Sequence, residues 1–368
     1  MPDMAAPAAR PLLRLRALRY AITFIVPLGA WATFTDRAIS PWVVPAFSFG
    51  LVPLLELLLR GKHTNLSEDQ ERAVLKDPLF DALLYLFVPL QYFLLALFLM
   101  RVQRGDLPSF DLAGHIFTMG ILCGVYGINV AHELGHRTKR WERDLARALL
   151  LSSLYMHFII EHYRGHHRRV ATPDDPASAR FGESVYAFWL RSIVFSWRSA
   201  WKIEVERLKK TGRKPFGAGN EMIHAMLWQI GLCAVIGTVF GWSALFAFLG
   251  AAFIGILLLE TVNYIEHYGL RRLKTAGGGY GRVQHIHSWN SDHLVGRILL
   301  FELTRHSDHH WKASKKYQVL QSLDDAPQLP TGYPGMMLVS LVPPLFFAVV
   351  HPRLQQLVTA NSDLELAL

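Results

Sequence analysis

Six apolar stretches of about 20 residues constrain this chain more than any other feature. They cover residues 18–34, 39–59, 79–100, 110–130, 222–240 and 242–264. About 20 apolar residues are enough for a helix to cross a bilayer. A further stretch at 336–350 is shorter and contains Pro343-Pro344, so we interpret it as a buried or interfacial segment. The pattern predicts an all-α polytopic membrane protein with six transmembrane helices.

The positive charges predict how the chain is oriented. Arg10, Arg14, Arg16 and Arg19 precede or open the first stretch, which is too long for a cleaved signal peptide. By the positive-inside rule, these arginines hold the N-terminus in the cytoplasm. The predicted outer loops contain only the three arginines Arg37, Arg101 and Arg104. The net charge of +9 is therefore mostly a topology signal, and it does not mark a nucleic-acid-binding domain.

The apolar stretches divide the chain into four regions. Residues 1–131 hold transmembrane helices 1 to 4, and residues 222–265 hold helices 5 and 6. Residues 132–221 and 266–368 are more polar and are predicted to form a helical cytoplasmic cap. No alternating strand pattern is long enough to predict a sheet.

Histidine is the second unusual feature of the composition. The chain has 17 histidines, and nine of them fall into four short clusters near the inner ends of predicted spans. Residues three or four apart share one face of a helix, so each of the multi-histidine clusters can direct its rings at one place. The nine candidate metal ligands are His132, His136, His162, His166, His167, His267, His306, His309 and His310.

Nine imidazoles are too many for one ion but suit two ions with four or five ligands each. Imidazole binds zinc, copper, iron and nickel, and an all-imidazole site with an open position fits iron that activates oxygen. The motif from His132 to His136 is also the zinc-protease signature, with Glu133 as general base. A protease would leave six of the nine histidines without a role. A membrane metal transporter is the non-enzyme alternative, although its ligands would lie near the bilayer midplane.

Carboxylates beside ligand histidines often accept the second ring N–H and orient the ring. We predict this role for Glu133, Glu161, Glu266, Asp308 and Asp292. Asp174, Asp175 and Glu183 are further candidates. Each of these carboxylates has an ordinary alternative role, in capping a helix or pairing with a nearby arginine.

The clusters resemble those of a known family. The motifs are HELGHR at residues 132–137, EHYRGHH at 161–167, NYIEHYGL at 263–270 and RHSDHH at 305–310. Together they resemble the integral-membrane alkane 1-monooxygenases, within the histidine-rich membrane di-iron enzymes that include fatty-acid desaturases. The third motif is the most discriminating, because it separates alkane hydroxylases from desaturases. Two positions depart from the family pattern, Tyr163 in place of asparagine and Trp311 in place of alanine.

The resemblance implies an enzyme of the bacterial inner membrane that converts the terminal methyl of an n-alkane to a primary alcohol. It implies two non-haem iron ions on the nine histidines, O₂ as oxidant and rubredoxin as electron donor. An NADH-dependent reductase would reduce that rubredoxin. The only cysteines, Cys123 and Cys233, form no CxxC pair, so the donor is expected to be a separate protein. A related desaturase or hydroxylase acting on fatty-acyl or alkyl-aromatic substrates is the alternative enzyme.

Two further sets of residues follow from this hypothesis. Terminal selectivity requires a narrow apolar channel, and its candidate lining residues are Trp42, Phe47, Phe49, Phe117 and Tyr126. The same residues would also serve as ordinary helix packing or lipid-facing side chains. Candidate rubredoxin-docking residues are Arg168, Arg169, Arg271, Arg272, Lys312, Lys315 and Lys316, which would equally suit anionic lipid headgroups.

Overall fold

Helices make up most of the chain. The computed structural model describes residues 15–59, 61 and 64–367, so Arg10 and Arg14, on which the predicted orientation partly rests, lie outside the described residues. In chain order the helices are α1 (Leu15–Thr35), α2 (Val43–Leu58), α3 (Glu68–Lys76), α4 (Pro78–Gln103), α5 (Ser109–Gly135), α6 (Arg140–Leu151), α7 (Phe158–Glu161, His162–His166 and His167–Arg169 in succession), α8 (Val185–Lys210), α9 (Glu221–Phe240), α10 (Trp242–His267), α11 (Leu294–Leu299), α12 (His306–Trp311), α13 (Tyr333–Ser340) and α14 (Pro343–Ala360).

Among the described residues, five helices are long and apolar enough to cross a membrane, namely α1, α4, α5, α9 and α10. The predicted all-α, multi-pass membrane fold is therefore confirmed, whereas the count of six spans is not. The second apolar stretch forms α2, which has 16 residues because a turn at residues 41–42 delays the start of the helix to Val43. The stretch at 336–350 is divided between α13 and α14, and each of these helices buries part of its surface.

The packing of α5 against α10 sets the position of the site. A Cβ atom on Gly255 would lie 2.6 Å from the Cβ of Cys123, and one on Gly120 would lie 2.5 Å from a methyl group of Ile254. Only glycine allows the two backbones to approach this closely, as is common between membrane helices. The helices α9 and α10 form a hairpin at Gly241, where φ is +86°. The start of α9 therefore lies at the same end of the bundle as His267.

The remaining helices pack around that end of the bundle. A second buried cluster joins α8, the end of α10, α13 and α14. A small antiparallel sheet ties the C-terminus to this layer, with Leu270–Arg272 paired to Leu364–Leu366. The expectation of no sheet is wrong at this point, because strands of three residues are too short to leave an alternating pattern in the sequence.

Candidate metal centre

All nine candidate histidines lie together at one end of the helix bundle. Their ring nitrogens form two groups, and within each group the potential ligand atoms lie within 4.8 Å of one another. The first histidine group contains His132, His136, His162, His167 and His309, and the second histidine group contains His166, His267, His306 and His310. Seven of these rings are buried, and His136 and His167 are half-buried.

The spacing of the ring nitrogens fits metal ions better than hydrogen bonds. The Nε2 atom of His167 lies 3.1 Å from Nε2 of His136, 3.0 Å from that of His162 and 3.3 Å from that of His309. One nitrogen carries at most one hydrogen, so it cannot hydrogen-bond to three others at once. Two nitrogens about 2.1 Å from one ion and at right angles to each other are about 3 Å apart. The first group is thus arranged to direct its lone pairs at a single ion.

The second group has the same spacing. The Nε2 atom of His306 lies 3.1 Å from Nε2 of His267 and 2.9 Å from that of His310. The Nε2 atom of His166 lies 3.2 Å from that of His310. Imidazole nitrogens in this arrangement suit zinc, copper, iron or nickel.

The protonation states also favour metal binding. Burial, reinforced by the neighbouring histidines, lowers the pKa of His162, His167 and His310 well below the usual value for histidine. Burial lowers the pKa of His309 to about 3. These rings are therefore neutral near pH 7, and neutral imidazole is the form that binds metals.

The pKa of His166 is the exception among the candidate ligands outside the spans. Burial alone would lower its pKa, but the adjacent Asp175 carboxylate raises it. The His166 Nδ1 atom lies 2.9 Å from Oδ2 of Asp175, which also accepts a hydrogen bond of 2.6 Å from Ser178. A carboxylate on Nδ1 leaves Nε2 to face the second group, which is the usual support for a metal-bound histidine.

The two histidine groups do not follow the rule that residues three or four apart share one face of a helix. His162–His166 forms a π-helix, and His162 meets His167, five residues on, while His166 joins the second group. The short helix α12 also serves both groups, since His309 joins the first and His306 and His310 join the second. Other π-helical segments occur at Phe47–Leu51 and Cys123–Asn129, and such segments are frequent at functional sites.

The predicted carboxylates occupy several different positions. Oε2 of Glu266 lies 3.2 Å from Nε2 of His306, which puts it beside the second group. The other four form ion pairs with cations: Glu133 with Arg137, Glu161 with Arg169, Asp308 with Lys315 and Asp292 with Arg305. The Asp175 carboxylate lies against Nδ1 of the candidate ligand His166, although Asp175 is nine residues beyond it and adjoins no candidate ligand in the sequence. Because the prediction relied on adjacency in the sequence, Asp175 was only a further candidate, although its carboxylate contacts a candidate ligand.

Tyr163 contacts the segment that carries the candidate ligands His132 and His136. Its hydroxyl donates to the carbonyl oxygen of His132 at 2.7 Å, and its ring stands edge-on to the His136 ring at 4.4 Å between centroids. A Cβ atom on Gly135 would lie 2.0 Å from that hydroxyl, so the tyrosine fills the space that this glycine leaves. Carbonyl groups at a helix end need such partners, because they accept no hydrogen bond within the helix.

Tyr163→Phe should therefore lower the thermal stability of the protein and loosen metal binding. It removes one hydrogen bond to a buried carbonyl, worth about 1 kcal/mol. Thermal unfolding followed by tryptophan fluorescence, together with iron retained after dialysis, measures both effects. Tyr92→Phe is the matched control, since the Tyr92 hydroxyl donates to the carbonyl of Ala148 at 2.7 Å, outside the centre. Equal iron retention in the two variants would contradict a role for Tyr163 at the centre.

An apolar cavity leads along the spans to the histidines. Its volume is about 100 Å³. Its apolar walls include Val26, Phe49, Val52, Ile121, Val125, Tyr126, Leu258, Val262, Leu299 and Met337. His132, His162 and His306 lie at one end, beside Asn129 and Glu266. Of the predicted channel residues, Phe49 and Tyr126 line the cavity, whereas Trp42, Phe47 and Phe117 lie outside its lining.

Comparison with known proteins places this centre in a family. Residues 111–340 match the fatty acid desaturase family. The chain is 41% identical to alkane 1-monooxygenase 1 of Pseudomonas aeruginosa, over 90% of this chain and 87% of that protein. The chain belongs to the alkane 1-monooxygenase family. It is also 38% identical to the alkane 1-monooxygenase of Pseudomonas putida, over 92% of this chain and 83% of that protein.

Membership of the alkane 1-monooxygenase family confirms the resemblance seen in the four histidine motifs and makes the chain an oxidoreductase. A more distant relative is the hydroxylase component of xylene/toluene monooxygenase from Pseudomonas putida, 29% identical over 76% of this chain and 75% of that protein. The candidate ligands His132 and His267 also lie at the ends of α5 and α10 rather than at their midpoints. This position differs from that expected of a transporter.

The seven predicted docking cations differ in their exposure and in their ion pairs. Lys315 donates to Asp308 at 2.8 Å and Lys316 donates to Asp81 at 2.6 Å, while Arg272 is buried. Arg169 pairs with Glu161, and Arg271 lies 3.9 Å from Glu365. Arg168 and Lys312 are exposed. Exposure therefore makes Arg168 and Lys312 the best positions of the seven for testing a docking surface.

Proposed function

We propose that the chain hydroxylates the terminal methyl group of n-alkanes to give 1-alkanols, with two iron ions bound by the nine histidines. The observation that carries this proposal is the apolar cavity that ends at both histidine groups. In the overall reaction, one alkane, one O₂, two electrons and two protons give one alkanol and one water. Iron ions held by imidazoles would supply the activation of O₂.

Terminal selectivity would follow from the shape of the cavity. A terminal C–H bond is stronger than an internal one, so reactivity alone favours internal positions. Apolar walls from α1, α2, α5 and α10 would hold a straight chain end-on and exclude water. The methyl group would then meet His132, His162 and His306 before any internal carbon does. The side chains of this protein would thus supply orientation rather than chemistry.

The electrons would come from rubredoxin, which an NADH-dependent reductase would reduce. An acidic donor would be steered by exposed cations at the histidine end, where Arg168 and Lys312 lie. We also propose a location in the bacterial inner membrane with this end in the cytoplasm, as the positive-inside rule indicates. Reversing both charges, in Arg168→Glu with Lys312→Glu, should raise KM for rubredoxin and remove its salt dependence. Kinetics that stay the same would contradict docking at this surface.

Metal analysis combined with product identification tests the proposal most directly. We expect about two iron ions per chain, and 1-octanol and 1-dodecanol from the corresponding alkanes in gas chromatography. The distant xylene/toluene relative supports an alkyl-aromatic substrate as the second candidate, so xylene is assayed in parallel. A fatty-acyl substrate tests for desaturation. Iron near zero, or products from xylene or the acyl chain alone, would contradict the proposal.

Ile121→Trp should shorten the range of alkanes that the enzyme accepts. Ile121 lines the cavity and stands eleven residues before His132 on α5, roughly 16 Å along the helix. A larger ring there would block the far end of a long chain but leave room for a short one. We expect the rate with hexadecane to fall about tenfold or more relative to octane. Phe117→Trp, on the same helix but outside the lining, is the control and should leave the ratio unchanged.

A further inference from the structure

A second large cavity lies apart from the histidine centre. It is bordered by α6, the start of α7 and the first turns of α9, and its volume is about 700 Å³. Its charged or polar residues include Arg140, Arg143, Asp144, Arg147, Glu221 and His224, which come from the earlier turns of α6 and α9. Its apolar residues include Leu151, Ala225 and Trp228, which follow on the same two helices, and Met156 and Ile159 at the start of α7. A cavity divided in this way suits a molecule with one charged and one apolar end.

The arginines form a row along one face of α6. Arg140, Arg143 and Arg147 follow one another at intervals of three and four residues, which places them on the same side of the helix. Arg147 is paired with Asp144 at 2.6 Å. The carboxylate of Glu221 accepts from Arg164 at 2.8 Å. Both acidic groups of the cavity are therefore already held by a cation.

The other two arginines remain available for an anion. The nearest carboxylate contact of Arg140 is to Asp144, at 3.9 Å. Arg143 donates through one nitrogen, Nη1, to the carbonyl oxygens of Arg137 at 3.2 Å and Thr138 at 2.7 Å. These bonds orient the guanidinium but do not neutralise it. Two guanidinium groups from one face of a helix suit the oxygens of a phosphate.

The apolar wall continues onto the lipid-facing surface. Trp228 is 64% exposed and lies two turns into α9, a candidate span of which only 11% is buried inside the protein. The start of α9 lies at the histidine end of the bundle, so this cavity opens where a span leaves the membrane. Tryptophan is enriched at that boundary. A ligand entering here would keep its apolar part in the bilayer.

We propose that this cavity binds an anionic phospholipid of the surrounding bilayer. The headgroup phosphate would lie between Arg140 and Arg143, and an acyl chain would follow Leu151, Ile159 and Trp228. The excess positive charge favours an anionic lipid over a zwitterionic one. The apolar wall favours a lipid over free phosphate.

Such a lipid would contact two segments that carry metal ligands. Arg143 binds the backbone immediately after His136, and Ile159 lies three residues before His162. Binding should therefore raise the melting temperature of the whole protein, since a ligand that binds only the folded state stabilises it.

Lipid titration of the full-length protein in a neutral detergent tests this proposal. Phosphatidylglycerol, phosphatidylcholine and inorganic phosphate are added separately, and the melting temperature and the mass of bound lipid are measured. We expect a saturable rise in melting temperature, with bound lipid, for phosphatidylglycerol alone. An equal effect of phosphatidylcholine, or of inorganic phosphate, would overturn the proposal.

Charge-removing variants locate the site. Arg140→Gln combined with Arg143→Gln should weaken the apparent affinity for phosphatidylglycerol about fivefold for each arginine removed. Arg140→Gln alone tests the site without touching the backbone contacts of Arg143. The control is Arg213→Gln with Lys214→Gln, which removes two exposed charges from the loop before α9. Equal affinity in the control and the double arginine variant would also overturn the proposal.

Discussion

Replacing His309 with alanine should abolish alkane hydroxylation and lower bound iron from about two ions per chain to about one. The Nε2 atom of His309 lies 3.0 Å from that of His132 and 3.3 Å from that of His167, so it belongs to the first histidine group. Its removal leaves that group with four imidazoles and an open face toward α12. Because the reaction needs both electrons and O₂ at one place, we expect activity below about 1% of the unsubstituted enzyme.

His310→Ala separates the two groups. Its ring belongs to the second group, so it should also abolish turnover and remove about one ion, but from the other position. Mössbauer spectra of the two variants should therefore differ, each retaining a different half of the original signal. His115→Ala is the control, because His115 is a buried histidine beside Phe34, outside both groups. Full iron content and full turnover in His309→Ala would contradict the assignment.

Replacing Asp175 with asparagine should weaken iron binding about ten- to a hundredfold. The carboxylate is buried against Nδ1 of His166, and burial there would raise its pKa. The contacts with His166 and Ser178 outweigh burial and lower the pKa of Asp175 to about 2. Asparagine preserves the shape but removes the charge that holds Nδ1–H in place. Competition with a chelator of known affinity measures the change directly.

The neighbouring aspartate supplies the control for this substitution. Asp174 is exposed and has the same charge, so Asp174→Asn changes the net charge equally without touching His166. We expect its iron affinity to match that of the unsubstituted enzyme. An Asp175→Asn protein that binds iron as tightly as the Asp174→Asn protein would show that the carboxylate does not support the centre.

The spans could be predicted because a helix that crosses lipid requires a long apolar stretch of sequence. Such a stretch does not show where the helix starts. The stretch at 39–59 is as apolar as the others, yet α2 begins only at Val43, after a turn that contains Pro41. The pairing of Leu270 with Leu366 could not be predicted, because each strand has only three residues and so shows no alternating pattern.

The histidines could be recognised from their clustering, but not divided between the groups. The rule that residues three or four apart share a face holds for His132 and His136, which lie in the same group. It does not hold for His162 and His166, because the π-helix changes the angle between successive residues. The contact between Asp175 and His166 depends on the loop after α7 folding back, which spacing alone does not reveal.

The position of α12 in the sequence determines when each histidine group can be completed during synthesis. His309 completes the first group, while His306 and His310 supply half of the second. All three follow the five candidate membrane-spanning helices of the described residues in the sequence, so they are synthesised after those helices. Neither histidine group can be completed while the ribosome is still translating those helices. A metal ion that needs a complete histidine group could therefore bind only after these helices have been translated, and a product truncated before His306 would contain only part of each group.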